Sequence, residues 1–504
     1  MHAGERIGNV LWQLGARGCR SPPVPHSMAD MVAHSRTSRG THPDRLFPAD
    51  PGVRALARRL HATVRDQPII SPHGHVDARL LADNEPFPDP VSLLITPDHY
   101  VTRLLHAHRV PLDALGVGRQ FLDEAEARAI WRIVCDHWWV FLGTPVRYWL
   151  ESELSEIFDV AELPGRGRPD EIYDRIAACL RQPDYLPRRL YERFGIDVLA
   201  TTDDPCDDLS AHRQLRSDQA WRGRVVPTFR PDRYLEPAQP QWNRDVERLA
   251  AVTGVDTGDY AGYVTALEER RRYFVSHGAT ASDHSHEDVR ADPLAPAEAS
   301  RIYRDARAGT VSEAAATAFR RHMLFEMARM STQDGLTMML HPAIRRNHHP
   351  PTAVAFGADT GHDIPLRVEF TDALRSLLEN FGTHPKLNLV LFTADETAFS
   401  REIAPLAGFY PTVFAGAPWW FLDAPDAIGR FHRAVTETAG FGKLAGFVDD
   451  TRAFCSVPAR HDMARRLDAS RLAELVARHQ LSEDEAVSTL QGLVREQPRR
   501  VFKL

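Results

Sequence analysis

The sequence predicts an α/β protein built as a closed (β/α)8 (TIM) barrel of parallel strands. Three observations predict it: eight short apolar runs, stretches of helical pattern between most of them, and a polar cluster after each run. Strands that alternate with helices form parallel sheets, and a barrel enzyme carries its active site at the carboxyl ends of its strands. An open doubly wound sheet would need a glycine-rich phosphate turn after the first strand, and the sequence has none there.

The apolar runs that predict strands are spread over most of the chain. They are 68–72, 198–200, 225–229, 278–281, 336–340, 387–392, 413–414 and 444–448. Apolar residues at helical spacing predict helices at 53–65, 367–380 and 425–440. The pattern between the first two runs is also helical, so we expect a helical insertion at about 105–190, after the first strand.

The first part of the chain differs in composition from the rest. Serine, proline, histidine and arginine dominate from Ser21 to Asp44, and large apolar residues are few. We therefore expect a disordered N-terminal extension at 1–45 and the barrel at 46–504. Charged residues interrupt the first apolar stretch, so no signal peptide is predicted. Met28 is an alternative start, in which case residues 1–27 are absent from the native protein.

The overall composition narrows the class of protein. The chain has 504 residues, 43% of them apolar, and a net charge of -7. No basic run predicts a nucleic-acid partner, and no apolar stretch approaches the roughly 18 residues that span a bilayer. Five scattered cysteines without CxxC spacing fit neither a disulfide framework nor a thiolate zinc site, which favours the cytoplasm. With lysine only at 386, 443 and 503, Schiff-base chemistry has few candidates.

Two histidines follow the first predicted strand with one residue between them. His73 and His75 would point to the same side, because side chains alternate along a strand. Asp450 follows the eighth run and His341 the fifth, and closure of the barrel would bring strands one and eight together. Imidazole nitrogens with a carboxylate suit a borderline divalent cation, with zinc favoured. The spacing of the two histidines is weak by itself in a chain with 24 histidines.

Several longer motifs occur in one order along the chain. They are Pro68–Asp77, Pro97–Tyr100, Thr202–Pro205, Thr228–Asp232, Ser282–His284, Leu340–His341 with Arg346 and Asn347, Trp419–Phe421, and Gly446–Phe454. Together they resemble the motifs of the uronate (glucuronate) isomerase family of the amidohydrolase superfamily. The resemblance covers roughly residues 46–465 and implies a barrel of the metal-dependent hydrolase (amidohydrolase) type.

The chain departs from the family pattern at four places. Ser71 and Pro72 replace an Asp–aromatic pair, Ala343 replaces a glycine, and His348 replaces an asparagine. The C-terminal residues 497–500 lack the asparagine-rich ending of the family. These departures bear on substrate preference more than on reaction type.

The resemblance implies an aldose–ketose isomerase that acts on a small hexuronate through a cis-enediol. The two reactions are D-glucuronate to D-fructuronate and D-galacturonate to D-tagaturonate, and the sequence leaves the preference open. The implied metal ligands are His73, His75 and Asp450, with His341 as a weaker ligand or hydrogen-bond partner. The sequence also leaves open the identity of the metal, whether it is essential, and whether the chain forms a homo-oligomer.

The resemblance also implies roles for residues outside the metal set. Asp450 and Tyr100 would transfer protons, and a phenol of pKa about 10 would need a nearby cation, supplied by Arg452 or the metal. Catalysis and recognition of the sugar acid are expected of His99, Arg452, Arg230, Arg346, His341 and Trp419. Arginine suits a carboxylate because its planar fork binds two oxygens at once.

Two other classes of function compete with the isomerase. A metal-dependent amidohydrolase would act on an amide, ester or lactone, and its binuclear members need a lysine after the fourth strand. Ser282–His284 stands there instead, and Lys386 precedes the sixth run. The intact set of His73, His75, Asp450 and Arg452 argues against a sugar-acid binding protein without catalysis. His284 is also compatible with a simple buried hydrogen bond.

Overall fold

Parallel strands surrounded by helices make up the computed structural model, which describes residues 41–165 and 167–504. Residues 1–40 of the extension predicted at 1–45 lie outside the described residues. Residues 41–45 already contact the folded part, where the Arg45 guanidinium pairs with Glu156 at 2.9 Å. None of the described helices is long and apolar enough to cross a membrane.

Strands form at seven of the eight predicted runs. In chain order, the strands of the described part are β1 (Ile69–Ser71), β2 (Ile196–Ala200), β3 (Arg224–Val226), β4 (Thr228–Phe229), β5 (Ala281–His284), β6 (Thr337–Leu340), β7 (Ile344–Arg345), β8 (Ile364–Pro365), β9 (Leu389–Leu391) and β10 (Val413–Ala415). The fourth strand therefore lies later than predicted at 278–281, and Ser282–His284 is its end rather than the loop after it.

The barrel wall consists of two parallel sheets. One has the order β1-β2-β3 and the other the order β4-β5-β6-β9-β10. β3 and β4 are two halves of one predicted strand, separated by Pro227, which has no N–H to donate to a neighbour. β7 and β8 pair antiparallel in the connection between β6 and β9.

The prediction of a regular strand at 444–448 was wrong. Within the described residues, this segment makes one parallel bridge, between Ala415 and Leu444. Gly446 adopts φ +87, and a Cβ there would meet Pro498 at 2.8 Å, so the C-terminal segment packs against it. The barrel nevertheless closes, because the His75 N–H donates to the Thr451 carbonyl at 2.9 Å.

Two of the predicted helices lie close to their predicted bounds. The first is Pro51–Ala62, where the Asp50 side chain caps the amino end, and the other is Pro425–Ala439. The helix predicted at 367–380 is shorter, Arg375–Phe381. The other α-helices of the described part are Ala78–Asp83, Pro90–Leu94, His99–Ala107, Glu124–Asp136, Pro145–Ser152, Pro169–Leu180, Pro187–Arg193, Ser210–Ser217, Asp232–Leu235, Trp242–Thr253, Tyr260–Ser276, Pro296–Arg307, Glu313–Asp334, Pro350–Phe356, Ala404–Phe409, Val457–Ala477, Glu483–Gln491 and Gln497–Phe502. Short 3₁₀ or π turns are Asp113–Leu115, Trp138–Phe141, Glu153–Ile157, Pro183–Tyr185, Phe399–Ile403, Trp420–Leu422, Phe441–Lys443, Phe454–Ser456 and Gly492–Glu496.

The helical insertion lies between β1 and β2, and its helices begin at Ala78, earlier than the predicted residue 105. Large aromatic side chains such as Trp131 and Trp149 are buried in it. Each buried side chain of this kind contributes roughly 1.5–3 kcal/mol or more of transfer free energy. The amino ends of the strands are covered by the C-terminal segment, where the Val501 carbonyl accepts from Thr337 and Asn388 at 2.8 Å.

Candidate active site

A cavity of about 330 Å³ opens at the carboxyl ends of the barrel strands. It is lined by His73, His75, Asp98, His99, Tyr100, Arg230, Asp283, Ser285, His341, Arg346, Asn347, Ala358, Asp359, Trp419, Trp420, Asp450, Thr451 and Arg452. All ten of the site residues predicted from the sequence are among them. The cavity is within the size range of small-molecule sites.

The end of β1 places His73 and His75 beside Asp450. The Asp450 Oδ1 atom lies 3.5 Å from His73 Nε2 and 3.0 Å from His75 Nε2. Gly74, which lies between them, packs against Asp449 and the Thr451 carbonyl. The barrel closure thus unites both ends of the folded chain in one site.

His341 is oriented by a buried carboxylate. Its Nδ1–H donates to Asp283 Oδ1 at 2.7 Å, which leaves the lone pair on Nε2. Among the described residues, Nε2 has no hydrogen-bond partner, and the same holds for Asp450 Oδ1. His73, His341 and Asp450 each offer a ligand atom within 4.8 Å of the others. This donor set fits a divalent cation.

The electrostatics of the site keep its histidine neutral and its carboxylate ionised. Burial lowers the pKa of His73 to about 4. Burial by itself would raise the pKa of Asp450, but His73 and His75 outweigh it and hold that pKa well below its usual range. Asp450 also adopts φ +39, a region that non-glycine residues rarely occupy. Such backbone strain is typical of functional positions.

The Pro97–Tyr100 motif begins a helix at the cavity wall. Asp98 caps the helix, with its carboxylate accepting from the Tyr100 N–H at 2.8 Å. His99 and Tyr100 then face the cavity with their rings stacked at 4.8 Å. Burial, partly opposed by the Arg460 guanidinium, raises the pKa of Tyr100 above that of an ordinary phenol. Arg460, at 4.8 Å, and Arg103, at 5.9 Å, lie over the phenol ring, and the lowering effect of Arg460 on the Tyr100 pKa is smaller than the effect of burial.

Two of the predicted arginines share one carboxylate. Arg452 pairs with Asp359 at 3.2 Å, and Arg346 lies 3.5 Å from the same side chain. Arg346 also bonds to Asp363 at 3.0 Å and to the Ser285 hydroxyl at 2.9 Å. Both guanidinium groups are about one-third exposed and reach the cavity. They form an anion-binding wall.

Arg230 lies between two carboxylates at the end of β4. Its Nε is 3.4 Å from Asp232 Oδ2 and 3.5 Å from Asp283 Oδ2. Burial by itself would lower the pKa of Arg230, but Asp283 and Asp232 outweigh it and raise that pKa. Arg230 is a permanent cation at the bottom of the cavity.

Aromatic rings close the remaining side of the cavity. His341 is stacked on Phe392 at 4.0 Å and meets Trp419 edge-on at 4.9 Å. Trp420 adopts φ +53 and lies 5.6 Å from the His99 ring and 5.1 Å from the Arg346 guanidinium. These contacts hold the histidine rings in place.

Sequence reasoning did not assign a site role to Asp283, Asp359 or Trp420. Asp283 and Trp420 belong to recognised motifs, Ser282–His284 and Trp419–Phe421, so a signal for them existed. Asp359 lies in the irregular connection between β7 and β8, where no periodicity marks it. By contrast, Asp203 and Asp204 do not line the cavity; Asp204 accepts from the Cys206 N–H in a turn.

A parallel barrel with histidines and a carboxylate together at the carboxyl ends of its strands has the arrangement of a (β/α)8-barrel enzyme. The family model for glucuronate isomerase matches residues 53–502. The uronate isomerase of Cutibacterium acnes is 50% identical over 92% of this chain and 98% of its own. The chain belongs to the glucuronate isomerase family.

Solved structures agree with this assignment. Glucuronate isomerase from Caulobacter crescentus superposes with a TM-score of 0.90, at 43% identity, over 92% of this chain and 97% of its own. Uronate isomerase from Thermotoga maritima superposes with a TM-score of 0.85, at 26% identity, over 92% and 99%. The fold class predicted from the sequence is confirmed.

Proposed function

We propose that the cavity interconverts an aldehyde-form hexuronate and its 2-keto isomer. The reactions are D-glucuronate to D-fructuronate and D-galacturonate to D-tagaturonate, through a cis-enediol. One observation carries the proposal: three arginines and an ionised aspartate line the same cavity of about 330 Å³. The arginines suit the substrate carboxylate, and the aspartate suits proton transfer at carbon.

Asp450 is the proposed proton acceptor. An aldose–ketose conversion moves one proton from C2 to C1 and another from O2 to O1, and the first transfer needs a base that is ionised at neutral pH. The lowered pKa of Asp450 keeps the carboxylate ionised, as a proton acceptor must be. A carboxylate on one face of a cis-enediol can take the proton from C2 and return it to C1.

Tyr100 and His99 are proposed as partners of the sugar oxygens. The raised pKa of Tyr100 keeps the phenol protonated, so it donates rather than accepts a proton. Burial lowers the pKa of His99 to about 3, so its ring is neutral. Both His99 nitrogens are buried without partners within the described part of the chain, and the residue lines the cavity. They can therefore bind sugar hydroxyls.

Arg452, Arg346 and Arg230 are proposed to bind the substrate carboxylate and orient the sugar. A guanidinium that shares the exposed carboxylate of Asp359 can exchange it for the carboxylate of the sugar acid. A fixed carboxylate positions C1 and C2 relative to Asp450, which is a proximity effect.

A divalent cation, zinc by preference, would be held by His73, His75, His341 and Asp450, and when bound it supplies a Lewis acid that polarises substrate oxygens. The partnerless Nε2 of His341 and Oδ1 of Asp450, counted over the described residues, support this placement.

Two further proposals concern the whole protein. A cytoplasmic location is supported by Cys135, Cys179, Cys206 and Cys455, the cysteines of the described part, which are buried and unpaired. A homo-oligomer is supported by large exposed apolar side chains of the insertion, such as Phe121 at 75%. Sedimentation equilibrium tests the second proposal, and a monomer at micromolar concentration would reject it.

Proton NMR in heavy water tests the reaction. Purified protein with added zinc is incubated with D-glucuronate and, separately, D-galacturonate. We expect the ketose to appear with deuterium exchange at C2, and Asp450→Asn to abolish both. Asp468→Asn is a matched control, because Asp468 pairs with the buried His432 at 2.9 Å and lies outside the cavity. No ketose and no exchange with either sugar would reject the proposal.

A further inference from the structure

A second cluster of histidines and a carboxylate lies beside the active site, on the opposite side of β5. Asp232, His284 and His286 each offer a ligand atom within 4.8 Å of the others. Asp283 points into the cavity, so its neighbour His284 points to the other side of the strand. His284 and His286 are only 1% and 4% exposed. This cluster is separate from the ligands proposed above.

Glu236 orients the ring of His286. His286 Nδ1 lies 2.8 Å from Glu236 Oε1, and a carboxylate only accepts, so the neutral ring carries its proton on Nδ1. Its Nε2 lone pair then faces Asp232 Oδ1 at 3.5 Å. Both atoms are buried and lack a hydrogen-bond partner among residues 41–165 and 167–504. A ring nitrogen and a carboxylate oxygen so placed are ligand types that suit a divalent cation bound between them.

Asp232 has its other oxygen fully engaged. Oδ2 accepts from the Ser285 N–H at 3.0 Å and lies 3.4 Å from Arg230 Nε, which leaves Oδ1 free for a cation. His284 Nδ1 lies 3.9 Å from this Oδ1 and is likewise buried without a partner in the described part of the chain. Three possible ligand atoms without hydrogen-bond partners therefore lie close together.

The separations fit a coordinated cation. Bonds of about 2.0–2.1 Å in tetrahedral geometry place two ligand atoms about 3.3 Å apart. The observed separations of 3.5 and 3.9 Å require only small adjustments. Glu236 behind His286 is the carboxylate–histidine–metal arrangement that orients ligands in zinc sites. We propose that Asp232, His284 and His286 bind a second divalent cation, of the zinc class.

The second cation would act on the active site through Arg230. This arginine is shared between Asp232 and Asp283 at nearly equal distances. A cation that neutralises Asp232 leaves Arg230 to Asp283 and to the cavity. The second cation would thus hold the end of β5, and with it Asp283 and Arg230, in place.

The metal content of the purified protein tests this proposal without any substrate. Protein is prepared with zinc, passed over a desalting column, and measured by plasma mass spectrometry. We expect close to two equivalents per chain, close to one in His286→Ala, and close to one in Asp450→Asn. His322→Asn is the matched control, because both ring nitrogens of buried His322 already have partners, Tyr260 and Leu294, at 2.7 and 3.1 Å. It should keep two equivalents.

Glu236→Gln provides a second readout if His286→Ala does not fold. Loss of the carboxylate behind His286 should weaken one of the two sites by about 10- to 100-fold in a chelator competition. Loss of one equivalent of zinc in His286→Ala supports the proposal, whether or not the first site binds zinc. The proposal would be overturned if His286→Ala retained all of its zinc, or if the zinc affinities were unchanged in Glu236→Gln.

Discussion

Two pairs of histidines with one residue between them lie at the rim of this barrel, and they face opposite ways. His73 and His75 follow β1 and face the cavity with Asp450. His284 and His286 lie at the end of β5 and face away from the cavity with Asp232. The same local spacing thus builds two different sites. The strand face, not the motif, determines which pair can touch a substrate.

The surroundings of the two pairs differ in a second way. The inward pair opens on a cavity wide enough for a sugar acid and contacts a strained aspartate. The outward pair is enclosed, and Glu236 and Arg320 pack around it. An enclosed site suits a structural ion, and an open one suits catalysis. Each prediction below would break or sharpen this contrast.

Removal of the inward pair should have the largest effect on catalysis. His73→Ala removes a proposed ligand, and loss of even an outer-shell partner costs about 10- to 100-fold. We therefore expect kcat/KM for the uronate to fall more than about 100-fold, and His286→Ala to lower it less. Initial rates of ketose formation measure both. Equal losses in the two variants would abolish the functional contrast between the pairs.

Arg452 should be important for the reaction and unimportant for the fold. Its guanidinium is one-third exposed and is proposed to hold the substrate carboxylate. A charged hydrogen bond of about 1.5–3 kcal/mol predicts that Arg452→Met lowers kcat/KM about 10- to 100-fold. Arg433→Met is the control, because Arg433 makes an exposed ion pair with Glu474. Near-normal turnover in Arg452→Met would refute the assignment, provided that the melting temperature is unchanged.

Asp203, a third carboxylate at the rim of the barrel, belongs to neither histidine pair. It should affect the stability of the fold and not catalysis. Burial raises the pKa of Asp203 to about 7, against about 3.9 in an unfolded chain. Between about pH 4 and pH 7, the folded protein retains a proton that the unfolded chain has released. The free energy of unfolding should then fall with rising pH, by at most about 1.4 kcal/mol per pH unit.

Asp203→Asn should remove this contribution and flatten the pH dependence of unfolding between pH 4 and pH 7. Urea titrations of wild-type and variant protein at several pH values provide the measurement. An identical slope in both proteins would contradict the raised pKa.

The smallest effect is expected beside the outward pair. Ala343 adopts φ +64, and its N–H donates to the His286 carbonyl at 3.1 Å. This left-handed conformation favours glycine, the residue that the family resemblance implies at this position. Relief of about 1–2 kcal/mol of strain in Ala343→Gly is offset by about 0.4–1 kcal/mol of unfolded-chain entropy. We expect the free energy of unfolding to rise by up to about 1.6 kcal/mol, and any fall would show that Ala343 is unstrained.

Much of the barrel could be predicted from local sequence patterns, and the predictions that failed did so for physical reasons. Apolar runs marked seven strands because buried parallel strands are apolar on both faces. The run at 444–448 is equally apolar, but Gly446 bends away to accommodate Pro498, a contact that no local pattern contains. The strand predicted at 278–281 was displaced because Ser282, Asp283 and His284, though polar, are buried within it.

The sequence by itself determined the fold class, the family resemblance and the ten residues of the predicted site, because motifs and periodicity are properties of neighbouring residues. Only the tertiary structure decided that Asp283 orients His341 and that Asp359 joins Arg346 and Arg452. It also decided that Arg460, rather than Arg452, lies over Tyr100. These contacts join residues far apart in the chain, and hydrogen bonding, burial and charge act through space.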